Sequence, residues 1–326
     1  ALSGFTGETL VLPESLEIIG NNAFKSSRLK SIHIPKNVRI IGDSAFDAAN
    51  DTEKSLEILT FAPDSKLESI GKAAFQAATA LKKIDIPDSV ITLGANAFDG
   101  CSGLTEVALS AGIRELQNFT FSYCSNLAKL VIQEGLETIG RNVFSAENSA
   151  LTELVIPSTV VSIGNSAFAN KLGLKTLTFA EGSQLSTLGL NVFSNCPALE
   201  SLTLPAMLET LSTSTLTFEC DDVETTINMS NAFWKCTSLK YVDMSACTEL
   251  TVLPTRTFGG SDVLETLLLP PNLVTIRDCA FSDPMGLMTG VSISGLRSLK
   301  EITIPASVTY IGGYAFYGCE SMQTVT

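Results

Sequence analysis

The feature that most constrains this chain is a phenylalanine that returns at a nearly constant interval. It stands at Phe24, Phe46, Phe75, Phe98, Phe121, Phe144, Phe168, Phe193, Phe233, Phe258, Phe281 and Phe316, and most steps are 22 to 25 residues. An Ile or Leu sits five residues earlier in eleven of the twelve repeats. A period of this length belongs to arrays in which one unit cannot bury its apolar side alone, so stacked neighbours supply the core.

The repeat is clearest from Leu81: Leu81-x-x-Ile84-x-Ile86-Pro87-x-x-Val90-x-x-Leu93-Gly94-x-x-Ala97-Phe98-x-x-Cys101-x-x-Leu104. Leu-x-x-Ile-x-Ile alternates with period two, which predicts a short strand with Ile84 and Ile86 on one side. Pro87 lacks an N–H for the ladder and ends that strand. Val90 and Leu93 form a second inward segment, Gly94 permits the tight backbone that follows, and the Ala97-Phe98 pair plugs the coil. The expected fold is a leucine-rich-repeat solenoid, a right-handed superhelix of mostly short parallel strands with short helical or irregular turns. Twelve rungs at a strand spacing of ~4.8 Å give an array on the order of 60 Å long.

A chain of 326 residues would split into two domains on length alone. An array escapes that rule because its core grows in one dimension, so residues 1–326 read as a single solenoid. Insertions interrupt it near 47–55, 212–227 and 282–295, where the period lengthens. Three repeats also carry two extra residues after the strand: Phe61 to Leu67, its matched variant Phe179 to Leu185, and Met244 to Leu253. No signal-like segment opens the chain, and the array stops in mid-unit at Thr326 without a polar cap, which reads as a fragment of a longer protein.

Hydrophobic residues make up 45% of the chain and charged ones 17%, too apolar for a disordered segment. A formal charge of −13 with no basic run argues against a nucleic-acid partner. No apolar run reaches the length of a membrane span.

The strings Ile304-Pro305-Ala306-Ser307-Val308-x-x-Ile311-Gly312-x-x-Ala315-Phe316-x-x-Cys319, Ile86-Pro87-Asp88-Ser89-Val90 and Ile156-Pro157-Ser158-Thr159-Val160 resemble the BspA-like leucine-rich repeat family. The resemblance covers essentially the whole chain. It implies a secreted or surface-attached product of a host-associated bacterium or protist, with adhesion to host matrix proteins or other microbes as the expected role. The family shares no catalytic motif, so the resemblance carries over no site residue. The chain departs from the pattern around Leu211–Phe233, and Pro254 and Arg277 replace the usual Gly.

Little in the sequence points to catalysis. His33 is the one histidine, so histidine triads and HExxH zinc sites are absent, and it reads as a surface residue. Five of eight cysteines, Cys101, Cys124, Cys196, Cys236 and Cys319, fall three residues after the repeating Phe. Ser27, Ala49, Ala78 and Ser261 share that position, which predicts buried free thiols. Cys101 and Cys124 sit on adjacent rungs and could approach disulfide distance, although stacking does not guarantee the torsion. Cys220, inside an insertion, is the thiol most open to reaction or pairing. The acidic run Glu219-Cys220-Asp221-Asp222-Val223-Glu224 lacks EF-hand spacing and reads as a solvated loop. No cofactor or metal is expected.

The outward strand positions say more. The first reads Lys30, Glu57, Lys82, then Lys175, Glu200, and later Lys240, Glu265, Lys300, an alternation that predicts a structural charge ladder. The middle one includes His33, Asp85, Val131, Val155, Asp243 and Leu268 and makes a flat, mildly apolar strip without aromatic platforms, suited to a protein surface. Trp234, the single tryptophan, should face outward beside the large insertion, covered by it or exposed as a binding anchor. The candidate partner-binding residues are therefore this strip together with Trp234, Asp221 and Asp222. The expected function is an extracellular or cell-surface protein-interaction module, not an enzyme. A passive spacer or carbohydrate-recognition stalk is the alternative, and a carboxylate-dependent hydrolase using Asp221 or Asp222 the third reading.

Overall fold

The computed structural model describes residues 3–49, 56–220, 223–282 and 295–326, with 215–220 and 223–228 described through their backbone. Asp221, Asp222, the Cys220 side chain and most of the insertions near 47–55 and 282–295 lie outside that description. The chain forms two compact parts, Ala1–Leu151 and Thr152–Thr326. Both are β-solenoid: every repeat contributes short strands and turns, and no helix occurs among the described residues. The turns are thus irregular rather than helical.

Each repeat supplies two strand segments, and both stack in parallel. In the N-terminal part the second segments Ile18–Ile19, Ile40–Ile41, Ser69–Ile70, Thr92–Leu93, Glu115–Leu116 and Thr138–Ile139 form one parallel ladder. Their second residue points inward, and Ile41, Ile70 and Leu93 are buried as the spacing predicts. Ile84, Ile86 and Val90 are buried with them. In the C-terminal part Ser162–Ile163, Thr187–Leu188 and Thr210–Leu211 stack in the same way, as do Val252–Leu253, Thr275–Ile276 and Tyr310–Ile311.

The repeating phenylalanines form columns of nearly parallel rings. Centroids are 5.0 Å apart for Phe24–Phe46, 5.2 Å for Phe75–Phe98 and 5.5 Å for Phe121–Phe144 in the first part. They are 5.5 Å apart for Phe168–Phe193 and 5.6 Å for Phe233–Phe258 in the second. Each such pair adds about 0.5–1.5 kcal/mol beyond the area it buries.

The backbone around each ring is the structure's main surprise relative to the sequence. The residue two before every one of the twelve phenylalanines has positive φ, among them Asn22, Asn96 at 61°, Phe119 at 63° and Tyr314 at 57°. A second left-handed residue often follows two after the ring, as at Ser26, Ala77 and Gly100. Alternation of hands turns successive N–H groups to opposite sides. Asn96, Phe98 and Gly100 donate to the carbonyls of Asn118, Thr120 and Ser122 in the next repeat, at 3.2, 2.8 and 2.8 Å. Ala97, Asp99 and Cys101 donate back within their own turn. The six successive amides from Asn96 to Cys101 are thereby all used without a helix.

This corrects the role assigned to Gly94, which is not among the positive-φ residues. It is glycine because a Cβ there would lie 2.5 Å from the Lys72 nitrogen of the preceding repeat. Gly71 faces the same crowding against Asp43, at 2.6 Å from Oδ1.

The insertion near 212–227 is an antiparallel hairpin, Ser214–Cys220 with Val223–Met229, in the register Leu216↔Ile227. Sequence patterning placed the insertion but not its strands.

Candidate interaction surface

Within each sheet the middle outward positions fall into register. His33 is paired across the strands with Thr60, Asp85 with Ala108, and Ala108 with Val131. In the C-terminal part Val155 is paired with Thr178, Thr203 with Asp243, and Asp243 with Leu268. Side chains at paired positions stack at strand spacing on one face, because alternate residues share a side. Val155 and Leu268 are 57% and 40% exposed, His33 and Asp85 are exposed, and Val131 and Asp243 are half-buried.

Two strip residues are held by local bonds. His33 Nδ1 and Thr60 Oγ1 are 2.9 Å apart. Asp243 accepts hydrogen bonds from the Ser245 hydroxyl at 2.6 Å, the Ser245 N–H at 2.8 Å and the Tyr241 hydroxyl at 3.3 Å. Partial burial works against its ionisation, but these donors outweigh it and hold the carboxyl below its ordinary value.

The strip is not continuous within either part. The strand Ile58–Phe61 bonds to Ser31–Ile34 but not to Lys83–Asp85, and Thr176–Phe179 bonds to Glu153–Ile156 but not to Ser201–Thr203. Thr266–Leu268 is likewise not bonded to Glu301–Ile302. The first two breaks each follow a strand carrying one of the matched longer loops, Phe61 to Leu67 and Phe179 to Leu185.

These breaks also rewrite the expected charge ladder. Its steps Glu57 to Lys82, Lys175 to Glu200 and Glu265 to Lys300 each span a break. On the near side of the first break Lys30 pairs with Glu8, at 2.7 Å. The strongest alternation lies one residue further along the strand, where Glu106 stands between Lys129 at 2.7 Å and Lys83 at 4.0 Å. The Lys129 hydrogen bond pulls the Glu106 carboxyl down, and the same bond raises the Lys129 amine.

Trp234 lies on a different column from the strip. It is half-buried, with Lys235 Nζ 4.3 Å and the Arg256 guanidinium 4.5 Å from its ring centre. Cations cover its faces, so it is a packed cation–π centre rather than a bare anchor.

The cysteine expectation holds for the described residues. Cys101, Cys124, Cys196, Cys236, Cys247 and Cys279 are free and buried, and Cys319 is free and half-buried. Four of the ladder thiols donate to the phenylalanine carbonyl of the preceding repeat: Cys101 to Phe75 at 3.2 Å, Cys124 to Phe98 at 3.4 Å, Cys196 to Phe168 at 3.7 Å and Cys236 to Phe193 at 3.5 Å. Burial pushes Cys196 and Cys247 up to about 12 and Cys101 well above its ordinary value. Among the described residues no group of three or more His, Cys, Asp or Glu is placed to hold a metal ion, and no helix is long and apolar enough to cross a membrane.

A family model for the BspA type leucine rich repeat region matches in six copies, over residues 5–58, 51–150, 146–229 and 289–326. No curated protein matches the chain. Among solved structures it is similar to a leucine-rich repeat protein from Bacteroides ovatus, at 22% identity over 95% of this chain and 82% of that one, with a TM-score of 0.55. It is also similar to a leucine rich cell surface protein from Faecalibacterium prausnitzii, at 24% identity over 95% and 82% of the two chains, with a TM-score of 0.50. At these identities the likeness shows a shared fold.

Proposed function

Given that the chain belongs to the BspA-type leucine-rich repeat family, we propose that it is an extracellular or cell-surface module, one solenoid over 1–326, that docks a protein partner along its outward strand positions. Leucine-rich repeats generally serve protein interaction, and the finer claims rest on what this face offers. The carrying observation is two short registers, Val155 with Thr178 and, past a break, Thr203 with Asp243 and Leu268: Asp243 apart, these are β-branched or aliphatic, and Val155 and Leu268 stand 57% and 40% in solvent. Exposed β-branched side chains held by strands lose little freedom on binding. Surface location is supported by the Faecalibacterium prausnitzii neighbour, described as a cell surface protein. The partner class is a protein of the host extracellular matrix or of another microbial surface.

The test is capture from solubilised extracellular matrix and from microbial surface extracts, comparing the natural chain with Val155→Lys and Leu268→Lys. Both sites are exposed, so the fold should survive. The expected result is one specific partner whose retention falls with either substitution. Retention indifferent to both substitutions, or no specific partner from either source, would sink the reading.

A further inference from the structure

The break between Ile58–Phe61 and Lys83–Asp85 opens the coil on one side only. The same two repeats stay bonded elsewhere, Gly94 N–H to the Ile70 carbonyl and Phe75 N–H to the Ala97 carbonyl, both at 2.8 Å. What results is an open groove of about 810 Å³, walled by Glu57 to Ser65 on one side and Lys82 to Ser89 on the other. Its volume falls within the range of small-ligand sites, roughly 300–1,000 Å³.

We infer that this groove is a binding site for a neutral oligosaccharide, a capacity separate from the protein docking proposed above. Charge gives the first argument. In a chain of net charge −13 the groove is nearly balanced, with Glu57, Asp85 and Asp88 facing Lys82 and Lys83. Lys83 is already paired with Asp85 at 3.2 Å. Such a lining exerts little net pull on an ion, yet supplies donors and acceptors in quantity, which is what hydroxyl groups need.

The second argument is hydrogen-bonding capacity left over by the break. Ser89, a residue of the groove wall, holds its Oγ buried and without a hydrogen-bond partner within the protein. At the matching position Ser307 donates to the Pro271 and Leu273 carbonyls at 3.1 and 2.8 Å. The backbone edges facing the gap are also not bonded to each other.

The third argument is the apolar share of the lining. Phe61, Ala62, Pro63 and Pro87 line the same groove. A sugar ring presents hydroxyls at its edge and C–H groups on its face, and so matches a wall of both kinds. An apolar small molecule would need far fuller enclosure than this open trough gives. An inserted peptide strand would need its neighbours ~9.6 Å apart, two strand spacings, which the bonds on both flanks prevent.

The probes are linear tetrasaccharides of glucose and of N-acetylglucosamine, α- and β-linked, titrated calorimetrically against the natural chain, Lys82→Ala and Asp88→Ala. Both side chains are exposed, and a melting curve on each variant confirms the fold. The expected result is a Kd below ~1 mM for at least one probe, weakened about tenfold by each substitution. No heat from any probe at ~10 mM, about ten times that limit, overturns the inference. Binding that survives both substitutions, or uptake only of oligolysine or oligoglutamate controls, overturns it as well.

Discussion

Asn96 and Gly94 show how two neighbouring residues can be special for different reasons. Asn96 carries the left-handed backbone, at φ 61°, while Gly94 gives room, its absent Cβ leaving the Lys72 nitrogen uncrowded. Asn96→Gly should therefore leave stability within about 1 kcal/mol of the natural chain, and Asn96→Val should lose about 1–2 kcal/mol. Gly94→Ala should cost about 1–3 kcal/mol, since a backbone atom and not a flexible tip must move. Urea denaturation of the three variants checks this, and an Asn96→Val as stable as Asn96→Gly would refute the assignment. Sequence alone pointed to the glycine because glycine is the usual sign of unusual backbone. The twelve left-handed positions hold Asn, Ser, Ala, Phe, Arg, Cys and Tyr, so composition there gave no such sign. The cysteines were legible for the opposite reason: small residues alternate with them at one position. Their reactivity follows from burial, because the thiolate is the nucleophile. Of the seven described cysteines, the half-buried Cys319 should label first with iodoacetamide, and slowly at neutral pH, because burial raises its thiol as well. Fast labelling of Cys101, Cys124, Cys196 or Cys236 would contradict the ladder.

Between strands, the charge pattern acts as a stabiliser whose pH window can be worked out from the directions of the shifts. Glu106 is held below its ordinary value of 4.5 by the Lys129 hydrogen bond first and the Lys83 charge after it. A carboxyl depressed on folding stabilises above its unfolded pKa, and that contribution disappears as pH falls through the folded one. Lys129 is raised above 10.5, so its share is present below that pH and is lost as pH climbs through the folded value. Glu106 and Lys129 should therefore stabilise the sheet Lys83–Asp85, Glu106–Ala108, Lys129–Val131 between about pH 5 and pH 10. Glu106→Gln should be less stable than the natural chain at pH 7, and indistinguishable from it at about pH 3. Added salt should shrink the gap at pH 7, since the groups are exposed. A gap that persists at acid pH would show that Glu106 acts through packing instead. The alternation of Lys and Glu was visible in the sequence, but in a neighbouring column. Sequence spacing did not reveal that the sheet breaks after Phe61 and Phe179, because a longer loop alone does not decide it: Met244 to Leu253 is as long, yet Tyr241–Asp243 stays bonded to Thr266–Leu268. The same limit hid the Ser89 groove.

At the scale of the molecule, the phenylalanine period gave the architecture in advance because one rule governs every repeat: an apolar ring must find another ring above and below it. The rule says nothing about what the face of the solenoid recognises, since outward positions are free of it. It does bear on cohesion. In an array, stability is a sum of repeat terms and neighbour terms, so damage in one repeat is shared by those stacked upon it. Phe98 is fully buried between Phe75 and Phe121, with ring centres 5.2 Å away on both sides. Phe98→Ala should cost about 3–5 kcal/mol. Trp234, the one tryptophan, belongs to the other compact part, Thr152–Thr326. If residues 1–326 act as the single solenoid proposed, urea unfolding followed by Trp234 fluorescence and by far-ultraviolet circular dichroism should give one midpoint. Phe98→Ala should then lower both signals together, although it lies in the part without the tryptophan. Should the fluorescence midpoint stay fixed while circular dichroism acquires an earlier step, the two parts unfold separately. The chain would then be two domains built to one repeat rule, and partner docking would have to be sought on each.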